Sequence, residues 1–405
     1  MGSTIVRPPT AGEIHRAAEI GRIAFNAPSI DPWINSFTWV ANHYGLDFLI
    51  VVEVDGRIVS SMICTPSQAR FGDDILPLCA VGGVATLPEH RKSGLAGMMM
   101  EESVRVLRRN GYHTSALWPF SYHYYRKFGW ELGSEHRRYL VPSEWARDFS
   151  VPTGVRPARK SDIPAIGRLL ERFGRRHNCV SVRDGLWWDY TLTSYGIKFD
   201  SDDDLRVRHG VCVHETGDRV DGYAFYMLSG EGETEVVAVR EMVADSSRAR
   251  SAILSRLAET GAPNISFRVP IDDDFLQALP DPRLVRTEIE GGFQFRVVDP
   301  LPALELRTVG SEIRGRIGFD IDDPTLGVSE LDVDVEDGRI RRASGRADDR
   351  LAMSVQTFAQ AFSGYITPSK AAELGRVEAT SRRALQLADS VFAGRIPFRS
   401  HLEVG

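Results

Sequence analysis

Apolar positions along the chain change period several times, and each change marks an element. Val6-Arg7-Pro8 reads as a short strand with a Pro-marked break, and Glu13-Ile14 opens an amphipathic stretch of helical period. Apolar runs at 48–54 and 57–64 flank Asp55-Gly56, which predicts a hairpin. Another strand is expected over 78–86. From Leu95 onward, Leu95, Met98, Met99, Val106 and Leu107 share one face, so a helix is expected over 95–109, with Asn110-Gly111 as its stop.

The same order then returns. Val155-Arg156-Pro157 precedes Asp162-Ile163 and a second amphipathic stretch. Strands at 207–215 and 220–228 flank a turn near Gly217-Asp218, and 235–244 and 248–260 repeat the strand and its helix. Repetition of elements in one order predicts two copies of one α/β domain. Asp299-Pro300-Leu301-Pro302 reads as a junction into a smaller α+β region. There a half-buried strand is expected over 331–340, turning at Asp337-Gly338, and helices over 351–362 and 369–392.

Composition narrows the function classes. At 405 residues the chain is long enough for two or three domains. Lys+Arg 49 against Asp+Glu 55 gives a net charge of -6, which argues against a nucleic-acid binder. No apolar run approaches the roughly 18 residues of a membrane span, and Met1 to Pro9 lacks the make-up of a signal peptide. Cys64, Cys79, Cys179 and Cys212 show no CxxC spacing, so neither a disulfide scaffold nor a Cys-rich zinc site is expected. None of the ten histidines has metal-site spacing, and Asp202–Asp204 and Asp272–Asp274 read as solvated loops. A soluble, cytoplasmic protein without a metal is expected.

The chemistry lies between the strand at 78–86 and its helix. Arg91, Lys92, Ser93, Gly94, Leu95, Ala96 and Gly97 form a basic, glycine-containing loop at a helix N-terminus. Backbone amides and the helix dipole converge on an anion at such a place, and Gly94 lets it approach without a Cβ in the way. A plain exposed turn with basic residues for solubility is the alternative. The matching stretch of the second copy, Asp245-Ser246-Ser247-Arg248, has no glycine and begins with an acid. One copy keeps a diphosphate site and the other has lost it.

This loop, with Tyr124-Tyr125-Arg126-Lys127-Phe128-Gly129-Trp130, resembles the acetyl-CoA-dependent N-acetyltransferases of the GNAT superfamily. The whole chain is more specifically similar to the Eis (enhanced intracellular survival) family. Pro270-Ile271-Asp272-Asp273, Asp281-Pro282-Arg283 and Val297-Val298-Asp299 with Ala303 to Arg307 match that family's second junction. The resemblance implies tandem GNAT folds followed by a sterol-carrier-protein-2-like domain. It makes 1–150 the catalytic domain, 151–298 a degenerate copy and 299–405 the third domain. It also implies a homohexamer.

Site roles follow from the resemblance. The backbone of Val84, Ala85 and Thr86 pairs with the pantetheine arm of acetyl-CoA, and residues 91–97 hold its pyrophosphate. Phe120 and Ser121 close over the cofactor, although Phe120 replaces a small polar residue. Tyr125 takes the place of the general acid, the alternative being a packing aromatic among Tyr122, Tyr124, Phe128 and Trp130. The family's base is a terminal carboxylate, here Gly405, in place of the usual aromatic end; Glu403 and His401 are alternatives. Asp31, Trp33, Phe37 and Trp39 mix a carboxylate with aromatic faces suited to amines and are expected at the acceptor pocket. The expected acceptor is an amine of a polycationic small molecule, aminoglycoside-like, or of a lysine-bearing peptide. Two other readings stay open: a module binding an apolar ligand, with a weakened transferase site, and a transferase for a longer acyl-CoA.

Overall fold

Arg7 closes the first strand by holding two carboxylates, Glu13 at 2.8 Å and Glu53 at 2.6 Å. Arg156 does the same in the second copy, with Asp162 at 2.7 Å and with Glu215. The repeated phrase in the sequence is thus one ion-pair clasp used twice, tying a first strand to the start of the first helix and to the hairpin. The computed structural model describes residues 3–149, 153–197, 199–200, 205–206 and 209–403, with the side chains of 193–195 excluded.

The first half runs β1 (Thr4–Arg7), α1 (Ile14–Ala24), α2 (Asp31–Tyr44), β2 (Leu49–Val54), β3 (Arg57–Phe71) and β4 (Asp74–Thr86). It continues with α3 (Leu95–Arg109), β5 (Thr114–Leu117), α4 (Tyr122–Arg126), β6 (Glu131–Leu132), β7 (Glu135–Pro142) and α5 (Ser143–Arg147). The second half runs β8 (Val155–Pro157), α6 (Ile163–Gly174), β9 (Asn178–Ser181), α7 (Gly185–Tyr195), β10 (Gly210–Thr216) and β11 (Arg219–Ser229). It ends with β12 (Val236–Ala244), α8 (Ser247–Ala258), β13 (Asn264–Pro270), β14 (Arg286–Gly291) and β15 (Gln294–Val297). The third domain holds α9 (Pro300–Glu305), β16 (Gly315–Asp322), β17 (Ser329–Glu336), β18 (Arg339–Arg342) and β19 (Arg350–Ser354). Then come α10 (Val355–Ser363), α11 (Pro368–Glu373), β20 (Val377–Ala379) and α12 (Arg382–Phe392).

The two large sheets exchange strands. The first has the order β1-β2-β3-β4-β5-β15-β6, and the second β14-β7-β13-β12-β11-β10-β8. So β15, from the end of the second half, lies between β5 and β6, while β7, from the first half, lies between β13 and β14. All four residues of β15 are buried, as a strand hydrogen-bonded on both sides and covered on both faces should be. A cut near residue 150 therefore divides the chain but not the sheets.

The third domain's sheet has the order β18-β17-β16-β19-β20. Here the sequence reading needs two corrections. Residues 350–354 extend a strand parallel to β16 before the helix begins, because Arg350 is held there by Asp320 and Asp332. The helix expected over 369–392 is broken by Gly375, whose φ of 70° a helix does not allow, and restarts where the Ser381 hydroxyl caps α12. Phe319, Phe358, Phe362 and Phe392 fill the interior ring against ring, and Phe362 stacks onto Phe295 of the exchanged β15. One core thus runs from the third domain into the first sheet. No helix among the described residues is long and apolar enough to cross a membrane.

Candidate active site

Strands β4 and β5 run parallel and pair only over Leu78–Ala80 and Thr114–Ala116. Beyond Ala80, β4 continues to Thr86 while β5 leans toward β15, so the sheet opens into a cleft. A bulge sharpens the opening. Ser61 faces Ala85 but Ile63 faces Gly82, leaving one extra residue on β4, and Gly83 takes a φ of 59°. A bulge bends its strand and re-aims the local amides, here toward the gap. Gly83 was not among the candidates, although a Gly-Gly pair inside an apolar strand run signals such a bulge.

The basic loop follows the end of β4. Gly94 precedes α3 with a φ of 83°, and no atom stands within 4 Å of the position its Cβ would take. Lys92 also has positive φ, at 63°. The first helix bond runs from Met98 N–H to Gly94 O at 3.2 Å, so the amides of Leu95, Ala96 and Gly97 precede the ladder and face outward from the N-terminus. Arg91 ties the loop back to the carbonyls of Thr86 and Ala24 at 3.3 and 3.4 Å, and the Ser93 hydroxyl donates to His90 O. Leu95 is buried as an anchor, and at Gly97 a Cβ would meet the Phe128 ring at 3.2 Å. Of the strand candidates, Val84 lines the cleft; Ala85 is buried opposite Ser61, and the Thr86 hydroxyl accepts from Ser60 at 3.0 Å.

Between β4 and β5 lies a cavity of about 690 Å³. Tyr125, only 4% exposed, lines it from α4, its ring edge-on to Phe120 at 5.3 Å and Tyr124 at 5.1 Å. Burial raises its phenol above the ordinary value, so it stays protonated at neutral pH. Phe120 borders the cavity and is 75% exposed, whereas Ser121 caps α4, accepting from Tyr124 N–H at 3.3 Å.

Trp33, Phe37 and Trp39 of α2 form one wall. Asp31 does not join them. It sits exposed in the first turn of α2, hydrogen-bonded to Ser29 at 3.0 Å, where its charge suits the helix dipole. The opposite wall comes from the second half: Asp184, Trp187, Tyr190 and Thr191 of α7 and its cap. Trp39 donates to Asp189 of that helix at 2.6 Å and packs on Tyr190 at 4.9 Å. These α7 residues were not legible in the sequence, because only the docking of two distant helices brings them together. The Thr191 hydroxyl and Trp118 Nε1 are buried on the cavity without a protein partner, two polar groups available to a bound molecule.

The chain's last segment completes the cavity. Arg399, Leu402 and Glu403 line it, so the segment is docked rather than frayed. Neither alternative base is suited to its task. His401 is half-buried against Trp118 and His136, and desolvation, with Arg268, lowers it to about 2. Burial alone would raise the Glu403 carboxyl, but Arg183 and Arg399 outweigh it and hold the group below its ordinary range. Gly405 lies outside the described residues, as do Asp202–Asp204. Asp273 is not solvated but paired with Arg250 at 3.1 Å.

Residues 5–133 match the model of an acetyltransferase (GNAT) domain, 179–297 that of a second acetyltransferase (GNAT) domain, and 300–400 that of a sterol carrier protein domain. An uncharacterized N-acetyltransferase of Streptomyces griseus is 26% identical over 349 residues, covering 79% of this chain and 80% of its own. N-acetyltransferase Eis of Mycobacterium tuberculosis is 24% identical over 346 residues, covering 82% of each. Two solved structures share the fold over 98% of this chain and 99% of theirs. A GCN5-related N-acetyltransferase from Anabaena variabilis does so with TM-score 0.81 at 16% identity, and Eis1 from Mycobacterium abscessus with 0.73 at 21%.

Proposed function

Because the chain is an Eis-like GNAT acetyltransferase with a sterol-carrier-protein-like third domain, we propose that it moves an acetyl group from acetyl-CoA to a primary amine held between α2 and α7. The carrying observation is the way one strand joins two sites. The bulged β4 edge at Gly82–Val84 lines an aromatic cavity with a buried phenol, and the same strand leads on to the uncapped helix N-terminus at Gly94.

The residues present fit acetyl-CoA. The space above Gly94 and the first-turn amides of α3 suit a diphosphate, with Lys92 adding charge, and the β4 edge at Val84 suits an extended amide-bearing arm. Acetyl-CoA supplies the activated acyl group and a thiolate leaving group. In this reading the bulge aims backbone N–H toward the thioester oxygen, which preorganises the site for developing charge. Tyr125 donates its proton toward the departing sulfur. The acceptor must lose a proton before it attacks, and this reading gives that proton to the Gly405 carboxylate rather than to His401 or Glu403.

The acceptor is an amine of a polycationic small molecule of the aminoglycoside kind or of a lysine-bearing peptide. Aromatic faces at Trp33, Trp39 and Trp187, with Asp184 at the rim, support an amine in either form. The packed interior of the third domain gives no comparable support to an apolar ligand there. We extend the reading to a homohexamer in the cytoplasm, which light scattering and fractionation test. The decisive experiment is an acceptor screen with acetyl-CoA, read by thiol release. Amine-dependent release is expected, and release by no amine, with acetyl-CoA bound, sinks the transferase reading.

A further inference from the structure

After α12 the chain leaves the third domain and crosses the second half before reaching the first half's cavity. Asn178, buried, receives it: its N–H donates to Ile396 O at 3.1 Å, and its own carbonyl accepts from Phe398 N–H at 2.8 Å. Arg399 then donates to Cys179 O at 3.4 Å. Arg240 of β12 donates twice to His401 O, at 3.1 and 2.6 Å. The last described residue is held by Arg183, whose Nη1 meets Glu241 at 2.7 Å and whose Nη2 meets Glu403 at 3.0 Å.

Two segments form a partition here. Val182 and Asp184, with Arg399 and Leu402, face the acceptor cavity. Ser181 and Arg183, with Phe398 and Ser400, face a second cleft of about 680 Å³ in the other half, and Glu403 borders both. Over 181–184 and 398–400 the alternation is that of extended chain, whose successive side chains point to opposite sides, and the turn at His401–Glu403 then brings Leu402 to the acceptor side.

The Arg183 side chain is 1% exposed. A buried cation persists when its charge is balanced, and here Glu241 and Glu403 balance Arg183 and Arg399. Tyr223 donates to Glu241 at 2.8 Å, and Trp187 donates to Glu403 at 3.2 Å while its ring lies 4.1 Å from the Arg183 guanidinium carbon. A planar fork clamped on Glu241 of β12 has its remaining donor direction set by that strand, so Glu403 is placed by the second sheet.

We propose that Arg183 is a positioning residue of the transferase: from the second half it fixes Glu403, and with it the tail that closes the first half's acceptor cavity. This rests on the acetyl-transfer reading above. It gives the second half, whose helix N-terminus is capped by Ser246, a task of its own as the dock for the tail. Arg183 does not line the acceptor cavity and acts through Glu403 and Trp187.

The test combines Arg183→Met with Glu241→Gln, so that no carboxylate is left unpaired by the loss of the guanidinium. Hydrogen exchange at the amides of Leu402 and Glu403, both now bonded to Ser400, should quicken by on the order of a hundredfold. The amine kcat/KM should fall at least about tenfold, while acetyl-CoA Kd stays within about twofold. Unchanged exchange overturns the proposal, and so does faster exchange with an unchanged amine kcat/KM. Should the double variant not fold, Glu403→Gln, which leaves Arg183 paired with Glu241, must move both readouts the same way or the proposal falls. If the native protein acetylates no amine, the transferase reading fails, and the exchange data still decide whether Arg183 holds the tail.

Discussion

Gly94 and Ser246 occupy the same place in the two halves, directly before the helix that follows a diverging central strand, and only Gly94 leaves the helix without a side-chain cap. In the second half β12 and β13 also part after Val239 and Phe267. There Ser246 is extended, and its hydroxyl accepts from Ala249 N–H at 3.2 Å, so the protein itself fills the helix N-terminus. Cofactor binding is therefore expected once per chain, in the first half. Gly94→Glu should abolish acetyl-CoA binding, since it forces a side chain into a left-handed backbone and sets a negative charge in an anion site. Calorimetry showing unchanged affinity in that variant would refute the assignment.

Tyr125→Phe removes a proton donor and almost no volume. Turnover should fall on the order of a hundredfold or more, with acetyl-CoA Kd nearly unchanged. Equal turnover in stopped-flow thiol release would return Tyr125 to a packing role beside Phe120 and Tyr124.

Strand exchange predicts that residues 1–150 do not fold alone. Without β15 the first sheet loses the strand between β5 and β6, and with it Arg296, which donates to Phe128 O and pairs with Asp323 at 2.6 Å. The fragment should show no cooperative thermal unfolding and no acetyl-CoA binding. In the full chain, Arg296→Ala leaves Asp323 buried without its cation and should cost roughly 3–5 kcal/mol of stability. A native-like Tm for that variant would contradict the role given to this pair.

His136, buried, and His401, half-buried, lie 5.8 Å apart; desolvation, with Arg268 nearby, lowers them to about 4 and about 2. Both are neutral at pH 7, whereas in the unfolded chain they titrate near 6.5. Between those values the unfolded state binds more protons, so stability falls as pH drops below about 6.5. His136 alone should account for roughly 3 kcal/mol by pH 4. Urea unfolding at stepped pH measures the slope, and His136→Gln should flatten it. The same slope in both proteins would rule out His136 as the source.

Much of this protein can be read along the chain. The two clasps Arg7–Glu13 and Arg156–Asp162, the hairpins and the α3 helix are local, with partners within a few residues or across a tight turn, so they leave a phrase in the sequence. The open loop at Gly94 is local too, because a helix N-terminus and a glycine suffice to make it. What only the tertiary structure decided is non-local: β7 and β15 change places, α7 supplies half of the acceptor wall, and the tail docks on Asn178 and Arg183. No periodicity records such pairings. A strand's pattern states which faces it buries but not which sheet it enters, and an ion pair 220 residues apart in sequence, as Arg183 and Glu403 are, exists only once the fold has closed.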